Sequence, residues 1–572
     1  MKARIGIALA TIACLASWAS AQQNLLVDPS FEEGQVGARP PAWNERAYDG
    51  KDDTLSAPFS VARGGRTGEK CAVIEVPEGF RYNFIEQNPS VPTDLSKGLL
   101  VSAWLRSDDP AGRVDLVIFV QARKRTAEDI TQVRLRFWDV GKEWRRYEAG
   151  LSLGEAPDIR KDDELTIRVI VQAYAPIRKV YVDDVYFGVV EASAARAACL
   201  SAVSERYREG LVDRSAEGDL IVLKDGKVAL FYGKGGWVLC AVSDDEGKTW
   251  GAPRPCRRAS GEGLKGDEGL PVRLKSGKLG VIVHDRYRLS FLVSADEGKT
   301  WSEPVAINPD EPRCKPMNGG SFVTSEGRIV VPVWLDWRSQ TRPKHPKRGY
   351  PPEEGVCWLS DDEGKTWRTG SSIVVEHDGE HPFDEAVGVE LSDDRLMLFA
   401  RTLSARLFKC YSSDGGETWT KPEVTPLVSS FSPCALGRMP NGDLLCVWNQ
   451  LSVEEVKSGL RRHRLTCAVS SDEGETWLHR RNLESLDDVT KIEQEVQWDD
   501  IYDFDPELPY KQPTDKKRYP HAPGPLRCTY PAVRFTKNAA VIVYDYGSAE
   551  GVFPEQYLKV RSLPYSWFYE NP

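Results

Sequence analysis

The sequence predicts an all-β chain, an N-terminal β-sandwich followed by a six-bladed β-propeller. Three observations predict it. First, the phrase Ser-x-Asp-x-Gly-x-Thr-Trp occurs five times, at Ser243–Trp250, Ser294–Trp301, Ser360–Trp367, Ser412–Trp419 and Ser470–Trp477. The starts lie 51, 66, 52 and 58 residues apart, and such a period marks an array of supersecondary units. Second, an apolar strand with a turn recurs beside these phrases: Leu223–Lys227, Leu274–Lys278, Thr324–Arg328, Leu391–Arg395, Met439–Asp443 and Phe535–Ala539. Asp-Gly and Asn-Gly between apolar runs signal β-hairpins. Third, residues 24–190 lack the phrase and carry short strand-like runs such as Leu99–Trp104, Val114–Val120 and Leu165–Val171. Those runs with turns between them argue a β-sandwich.

The repeat explains itself as a folding staple. Its Asp accepts bonds from the N–H groups of its own tight turn. Its Gly supplies positive φ, and its Trp fills the space between neighbouring sheets. There are six hairpins and five phrases, so Leu558–Phe568 is read as a degenerate sixth that finishes the last blade and closes the ring. Residues 191–210 are Ala-rich with apolar positions at helical spacing and read as a linker helix, which leaves 211–572 for the propeller. Two insertions, Arg338–Pro352 and about Leu483–Arg527, interrupt the period and are candidates for functional rims.

The N-terminus reads as a secretory signal over residues 1–21. Lys2 and Arg4 precede the apolar run Ile5–Ala16, and Ala19-Ser20-Ala21 fits a cleavage site. The expected location is secreted or periplasmic. Cys14 after Ile12-Ala13 leaves lipid attachment open, although Thr11 is a poor start for that signal. No other stretch reaches the length of a membrane span. Net charge is -10, from 75 basic and 85 acidic residues, so no basic excess exists to meet nucleic-acid phosphates. The remaining cysteines show neither CxxC pairs nor metal spacing. Cys240, Cys410, Cys446 and Cys467 read as small buried hydrophobes, with one disulfide left open. No cofactor and no metal are expected, and the chain is expected to be a monomer.

Counting eight residues back from each hairpin's turn residue locates the start of the innermost strand. Those slots hold Glu217, Glu268, Asn318, Glu385, Pro433 and either Thr529 or, if Asn538 is the true turn residue, Tyr530. If the slots are equivalent they converge on one polar pocket; the alternative is that strand starts are merely exposed. Arg401 follows Glu385 by sixteen residues, and Arg462 precedes Ser470 by eight. Arginines beside carboxylates shift pKa values and fork onto anions, unless each is simply a surface residue.

Here a family resemblance enters. Five such boxes in a six-blade array resemble the sialidase (neuraminidase) superfamily. Phe383–Arg401 resembles its strand with a catalytic Glu and a cluster arginine, which implies these roles for Glu385 and Arg401. Arg462–Trp477 resembles the segment with another cluster arginine, here Arg462. Thr529–Tyr546 resembles the segment with a nucleophilic Tyr, here Tyr530. Two departures stand out. The family's first cluster arginine falls near Ala216, and Arg214 lies two residues off, ~6.6 Å along a strand. The family's acid/base Asp has no counterpart in Tyr232–Trp237, so Glu217 or Glu268 is its candidate replacement, with Asp285 behind them. Asn318 and Arg214 join Arg401 and Arg462 as candidate substrate binders.

The opening Asn24–Gly34 and closing Val180–Phe187 resemble jelly-roll carbohydrate-binding modules, with Trp104 and Trp138 either sugar-stacking or core. Together the resemblances imply a secreted exo-acting glycosidase on a glycan or glycoconjugate, with a Tyr nucleophile assisted by Glu. A propeller glycosidase or lyase of other specificity, and a non-catalytic glycan-binding propeller, remain the alternatives.

Overall fold

The structure is a computed structural model. It describes residues 23–570 apart from 50, 53–54, 109–112, 123–129, 138–139, 156–158, 162, 176, 200–208, 216, 310–311, 336–353, 376–382, 403–405, 430–431, 451–461, 486–524 and 549–555. The expected signal at 1–21, Cys14, Trp138, the insertion at 338–352 and most of the insertion at 483–527 lie outside the described residues. Almost every element is a strand, so the chain is all-β. It divides into two compact units, Met1–Ala202 and Val203–Pro572.

Unit one holds two five-stranded antiparallel sheets among its described residues. One runs Asn44–Tyr48, Tyr82–Gln87, Leu165–Tyr174, Arg113–Ala122, Ile130–Phe137; the other runs Phe59–Arg63, Lys70–Glu75, Lys179–Glu191, Lys97–Arg106, Arg145–Ser152. Alternation drives the layering. Leu99, Val101, Ala103 and Leu105 on one sheet and Val114, Leu116, Ile118 and Val120 on the other enter a single apolar core. The helix Ala192–Cys199 packs on the second sheet through Ala195 and Ala198. Gly98 and Gly150 let it approach, since a Cβ on either would fall within 2.4 Å of Ala195.

Unit two holds six antiparallel sheets among its described residues. The first, Gly218–Val222, Val228–Lys234, Trp237–Ser243, Arg254–Pro255, sets the pattern of a meander. The second starts at Glu268–Arg273, the third at Cys314–Pro316, the fourth at Asp384–Glu390, the fifth at Ala435–Arg438 and the sixth at Pro525–Phe535. The first strands of several of these sheets touch one another. Gly218–Val222 meets Glu268–Arg273, Asp384–Glu390 meets Ala435–Arg438, and Ala435–Arg438 meets Pro525–Phe535, which returns to Gly218–Val222. The degenerate phrase Leu558–Phe568 was expected to finish the sixth sheet. In the structure Gln556–Pro564 is its third strand, and Leu211–Asp213 from the start of the unit adds the fourth. That strand is three residues long, too short for alternation to reveal it.

The repeated phrases bond alike. In the first, Asp245 accepts from the Thr249 N–H at 2.8 Å and the Thr249 hydroxyl at 2.6 Å, and Ser243 Oγ accepts from the Gly247 N–H at 2.8 Å. Three of the five Trp residues reach back to the preceding sheet: Trp301 meets Phe231 edge-on at 6.0 Å, Trp367 meets Phe291 at 5.3 Å, and Trp477 meets Phe399 at 5.8 Å.

Candidate active site

Three strand starts share an unusual backbone. Glu217, Glu385 and Tyr530 have φ of 53°, 45° and 54°, a region that non-glycine residues seldom occupy. Around Glu385 the register jumps between Asp384 and Val387, and around Tyr530 between Thr529 and Ala532. In both, two residues on one strand oppose one on its partner, so each is a bulge with its first residue re-aimed. Glu385 and Tyr530 are those first residues. Thr529, the strict-count occupant of the sixth slot, instead bonds Ser432 at 2.7 Å.

The bulges bring the two side chains together. The Tyr530 hydroxyl donates to Glu385 Oε1 at 2.8 Å. Arg401 closes the group, with Nη1 2.6 Å from Glu385 Oε2 and 3.4 Å from the Tyr530 hydroxyl, and Nε bound to Asp384 at 2.7 Å. Burial pushes Glu385 up to about 7 against the pull of Arg401, with Asp384 adding to the rise. Burial and the Glu385 charge push Tyr530 up to about 12. At neutral pH the phenol is therefore protonated and its partner carboxyl is poised near half-ionisation.

Two further guanidinium groups lie over the phenol ring. Arg462 Cζ is 5.1 Å and Arg527 Cζ 5.5 Å from its centroid. Arg527 pairs with Asp545 at 3.3 Å. The other Asp545 oxygen accepts the Glu217 N–H at 2.6 Å, tying one arginine to the neighbouring slot. Burial raises Asp545 to about 6, opposed by Arg527.

Glu217, Glu268 and Lys315 form a second group beside the first. Lys315 Nζ is 2.9 Å from Glu217 and 3.1 Å from Glu268. The two carboxyls also act on each other's titration across this bridge. Glu268 is fully enclosed, and burial together with the Glu217 charge raises it well above the carboxylate range. Glu217 resists burial through its interaction with Glu268 and its bond to Lys315 and drops to about 2. The two carboxyls therefore titrate as a pair, with Glu268 the member that keeps a proton to higher pH. Burial also lowers the adjacent His284 to about 4, helped by Lys315, so its imidazole is neutral.

The structure therefore gathers Tyr530, Glu385, Arg401 and Arg462 in one group, and Glu217 and Glu268 in another. Asn318 directs its amide nitrogen to the carbonyls of Gly218 and Tyr530, at 3.1 and 2.9 Å, bracing two slots. The contacts above do not run through Arg214, which is half-buried beside Asp213. Asp285 is exposed at a strand end, and Pro433 is buried. Sequence reasoning missed Lys315, Arg527, Asp384 and Asp545. A signal existed for two of them: a basic residue stands three positions before four of the slots, at Arg214, Lys265, Lys315 and Arg527. Among the described residues no cluster of His, Cys, Asp or Glu is arranged to hold a metal ion. Ten cysteines, including Cys240, Cys410, Cys446 and Cys467, are buried free thiols.

Residues 274–543 match the BNR repeat-like domain. That match covers less than half of the chain. The sialidase of Micromonospora viridifaciens is 24% identical over 307 residues, which cover 47% of this chain and 45% of that protein. The match therefore spans less than half the length of that curated relative. Among solved structures, a leech intramolecular trans-sialidase is 12% identical over 86% of this chain and 98% of its own, with a TM-score of 0.42. The NanB sialidase of Streptococcus pneumoniae is 10% identical over 84% and 97%, with a TM-score of 0.43. The BNR-repeat match begins at Leu274, after Glu217 and Glu268, and covers Lys315, Glu385, Arg401, Arg462, Arg527 and Tyr530.

Proposed function

We propose that the chain is an exo-acting glycoside hydrolase of sialidase type, releasing sialic acid or a related acidic sugar from the end of a glycan or glycoconjugate. Under this reading the six sheets are the blades of a propeller whose slots face one pocket. Unit one is a carbohydrate-binding jelly roll, and the protein acts outside the cytoplasm. One observation carries the reading: a phenol hydrogen-bonded to a buried carboxyl and surrounded by three arginines.

That arrangement suits a neutral nucleophile attacking an anionic sugar, because a carboxylate nucleophile would repel the substrate. Arg401, Arg462 and Arg527 face the substrate carboxylate. Glu385 takes the Tyr530 proton as the phenol oxygen bonds the anomeric carbon. Glu268 gives its proton to the departing glycosidic oxygen, and the carbon–oxygen bond breaks. Glu268 then takes a proton from water, whose oxygen displaces Tyr530 from the anomeric carbon. Glu385 returns the proton to the phenolate. The proton that Glu268 keeps beside Glu217 supplies the acid that Tyr232–Trp237 lacks.

The test is release of a fluorescent aglycone from an α-sialoside, with Tyr530→Phe beside the native protein. Turnover by the native protein that vanishes in the variant is expected. Turnover that survives unchanged in Tyr530→Phe would overturn the nucleophile, and turnover of another acidic sugar alone would move the specificity.

A further inference from the structure

Two hairpins at the slot end of unit two have the same two-residue turn but different chemistry. In sheet one Lys234 pairs with Trp237 across Gly235 and Gly236, whose φ values are 62° and 81°. In sheet two Asp285 pairs with Arg288 across Arg286 and Tyr287, whose φ values are 48° and 82°. Two left-handed residues in succession define a turn that asks for Asn-Gly or Gly-Gly. Sheet one follows that preference. Sheet two holds two bulky residues there, and such strain persists only where the surroundings fix it.

The surroundings do fix it, from the acid side of the pocket. Asp267, next to Glu268 in the chain, accepts the Arg286 N–H at 3.3 Å. His284, opposite Glu268 in the ladder, accepts the Tyr287 N–H through Nε2 at 3.2 Å. The Tyr287 ring then stands edge-on to His284 at 6.4 Å and to Trp334 at 6.1 Å, at 84° and 82°. Arg313 lies over the same ring at 4.9 Å. Trp334 pairs in register with Lys315, whose ammonium bridges Glu217 and Glu268. Tyr287 and Trp334 are each half-exposed. The shelf stands on sheets two and three, whereas Tyr530 comes from sheet six.

We propose that Tyr287 and Trp334 form the subsite for the leaving group, a corner of two aromatic rings on which a neutral sugar ring stacks. The inference rests on the glycosidase reading above. An acid must face the oxygen it protonates, so aromatic rings that adjoin Glu268 meet the departing sugar. The left-handed backbone at Tyr287 sets its ring edge-on to Trp334, which a relaxed Gly-Gly turn has no side chain to do.

The experiment compares two substrates that differ only in the leaving group, 3′-sialyllactose and N-acetylneuraminyl fluoride. Fluoride occupies no shelf. Tyr287→Gly is the variant of choice, because glycine adopts this φ without strain and the fold is retained. Its ratio of kcat/KM on sialyllactose to kcat/KM on the fluoride is expected to fall at least ~10-fold, the scale of one lost contact with the sugar. Trp334→Ala is expected to lower the ratio in the same direction. An unchanged ratio in both variants overturns the proposal. Binding of lactose alone, read by calorimetry, needs no turnover: the native protein is expected to bind it and Tyr287→Gly to lose it. Turnover of neither substrate by the native protein would sink the glycosidase reading, and lactose binding would then decide the shelf by itself, its absence overturning the proposal.

Discussion

The Tyr530 hydroxyl donates to Glu385 at 2.8 Å, and both residues sit first in equivalent bulges, at φ 54° and 45°. Each strained backbone aims a side chain that regular pleating would turn to the other face. The contact is thus preset before any ligand arrives. Replacing Glu385 by Gln removes the base but keeps the shape, so turnover should fall ~10²–10⁴-fold. Tyr530→Phe should fall at least as far. Steady-state kinetics on an aryl sialoside check both, with circular dichroism to establish that each variant is folded.

Much of this was legible in the chain, for a definite reason. Strand starts recur at a fixed distance from hairpin turns, so counting reached Glu217, Glu268 and Glu385, and reached Tyr530 only with Asn538 as the turn residue, the strict count giving Thr529. What counting missed were the partners. Asp384 and Asp545 adjoin or face those slots, and nothing in their local pattern separates them from surface acids. Lys315 and Arg527 stand three residues upstream of a slot, where an unbulged strand would send them to the opposite face. The fourth strand of the sixth sheet was illegible because it comes from Leu211–Asp213, far away in sequence.

The pH behaviour follows from Glu385, which burial lifts to about 7. Its base must be ionised, so kcat/KM should rise with pH and level off above about 7. Stability should move the other way. The folded protein holds a proton on Glu385 up to about 7, whereas the unfolded chain releases it near ~4.3. Within that window the folded state binds more protons, and stability falls as pH rises, by at most ~1.4 kcal/mol per pH unit. Melting of native protein and Glu385→Gln between pH 5 and 8 is the check, and the variant should show the shallower decline.

The arginines should separate by their partners. Arg401 is buried between Asp384 and Glu385, so Arg401→Ala leaves two carboxyls unpaired and should destabilise by ~3–5 kcal/mol. Arg527 is half-buried and has the single carboxylate Asp545 as its ion-pair partner among the contacts above. Arg527→Gln should therefore fold, raise KM for an anionic glycoside and change kcat less. Thermal melts and a kcat-against-KM comparison distinguish the two.

Asp245 tests the scaffold apart from the chemistry. Its three bonds, to Thr249 twice and Ser243 once, hold its turn and lower its carboxyl to about 2, the Thr249 hydroxyl contributing most. The turn lies beyond Ser243, which pairs with Val228, at the end of the sheet opposite Gly218. Asp245→Ala should cost about 1 kcal/mol in denaturant unfolding and leave kcat unchanged. The native contribution is present above the unfolded pKa near 3.8 and lost as pH falls toward about 2.

Lys315 offers the sharpest test of the paired titration. Its ammonium lies within 3.1 Å of both Glu217 and Glu268, and the carboxylates outweigh burial in keeping it charged. Removing that charge destabilises every ionised state of the pair, so both of its macroscopic pKa values must rise. The acid would then keep its proton to higher pH. Lys315→Met should shift the basic limb of the kcat/KM profile upward while Glu385 still governs the acidic limb. A merely structural lysine would lower activity at all pH values and leave the limbs where they were. The same shift should appear with a poor alcohol leaving group and shrink with fluoride, whose departure needs less protonation. A limb that moves equally for both leaving groups would remove Glu268 from the role of acid.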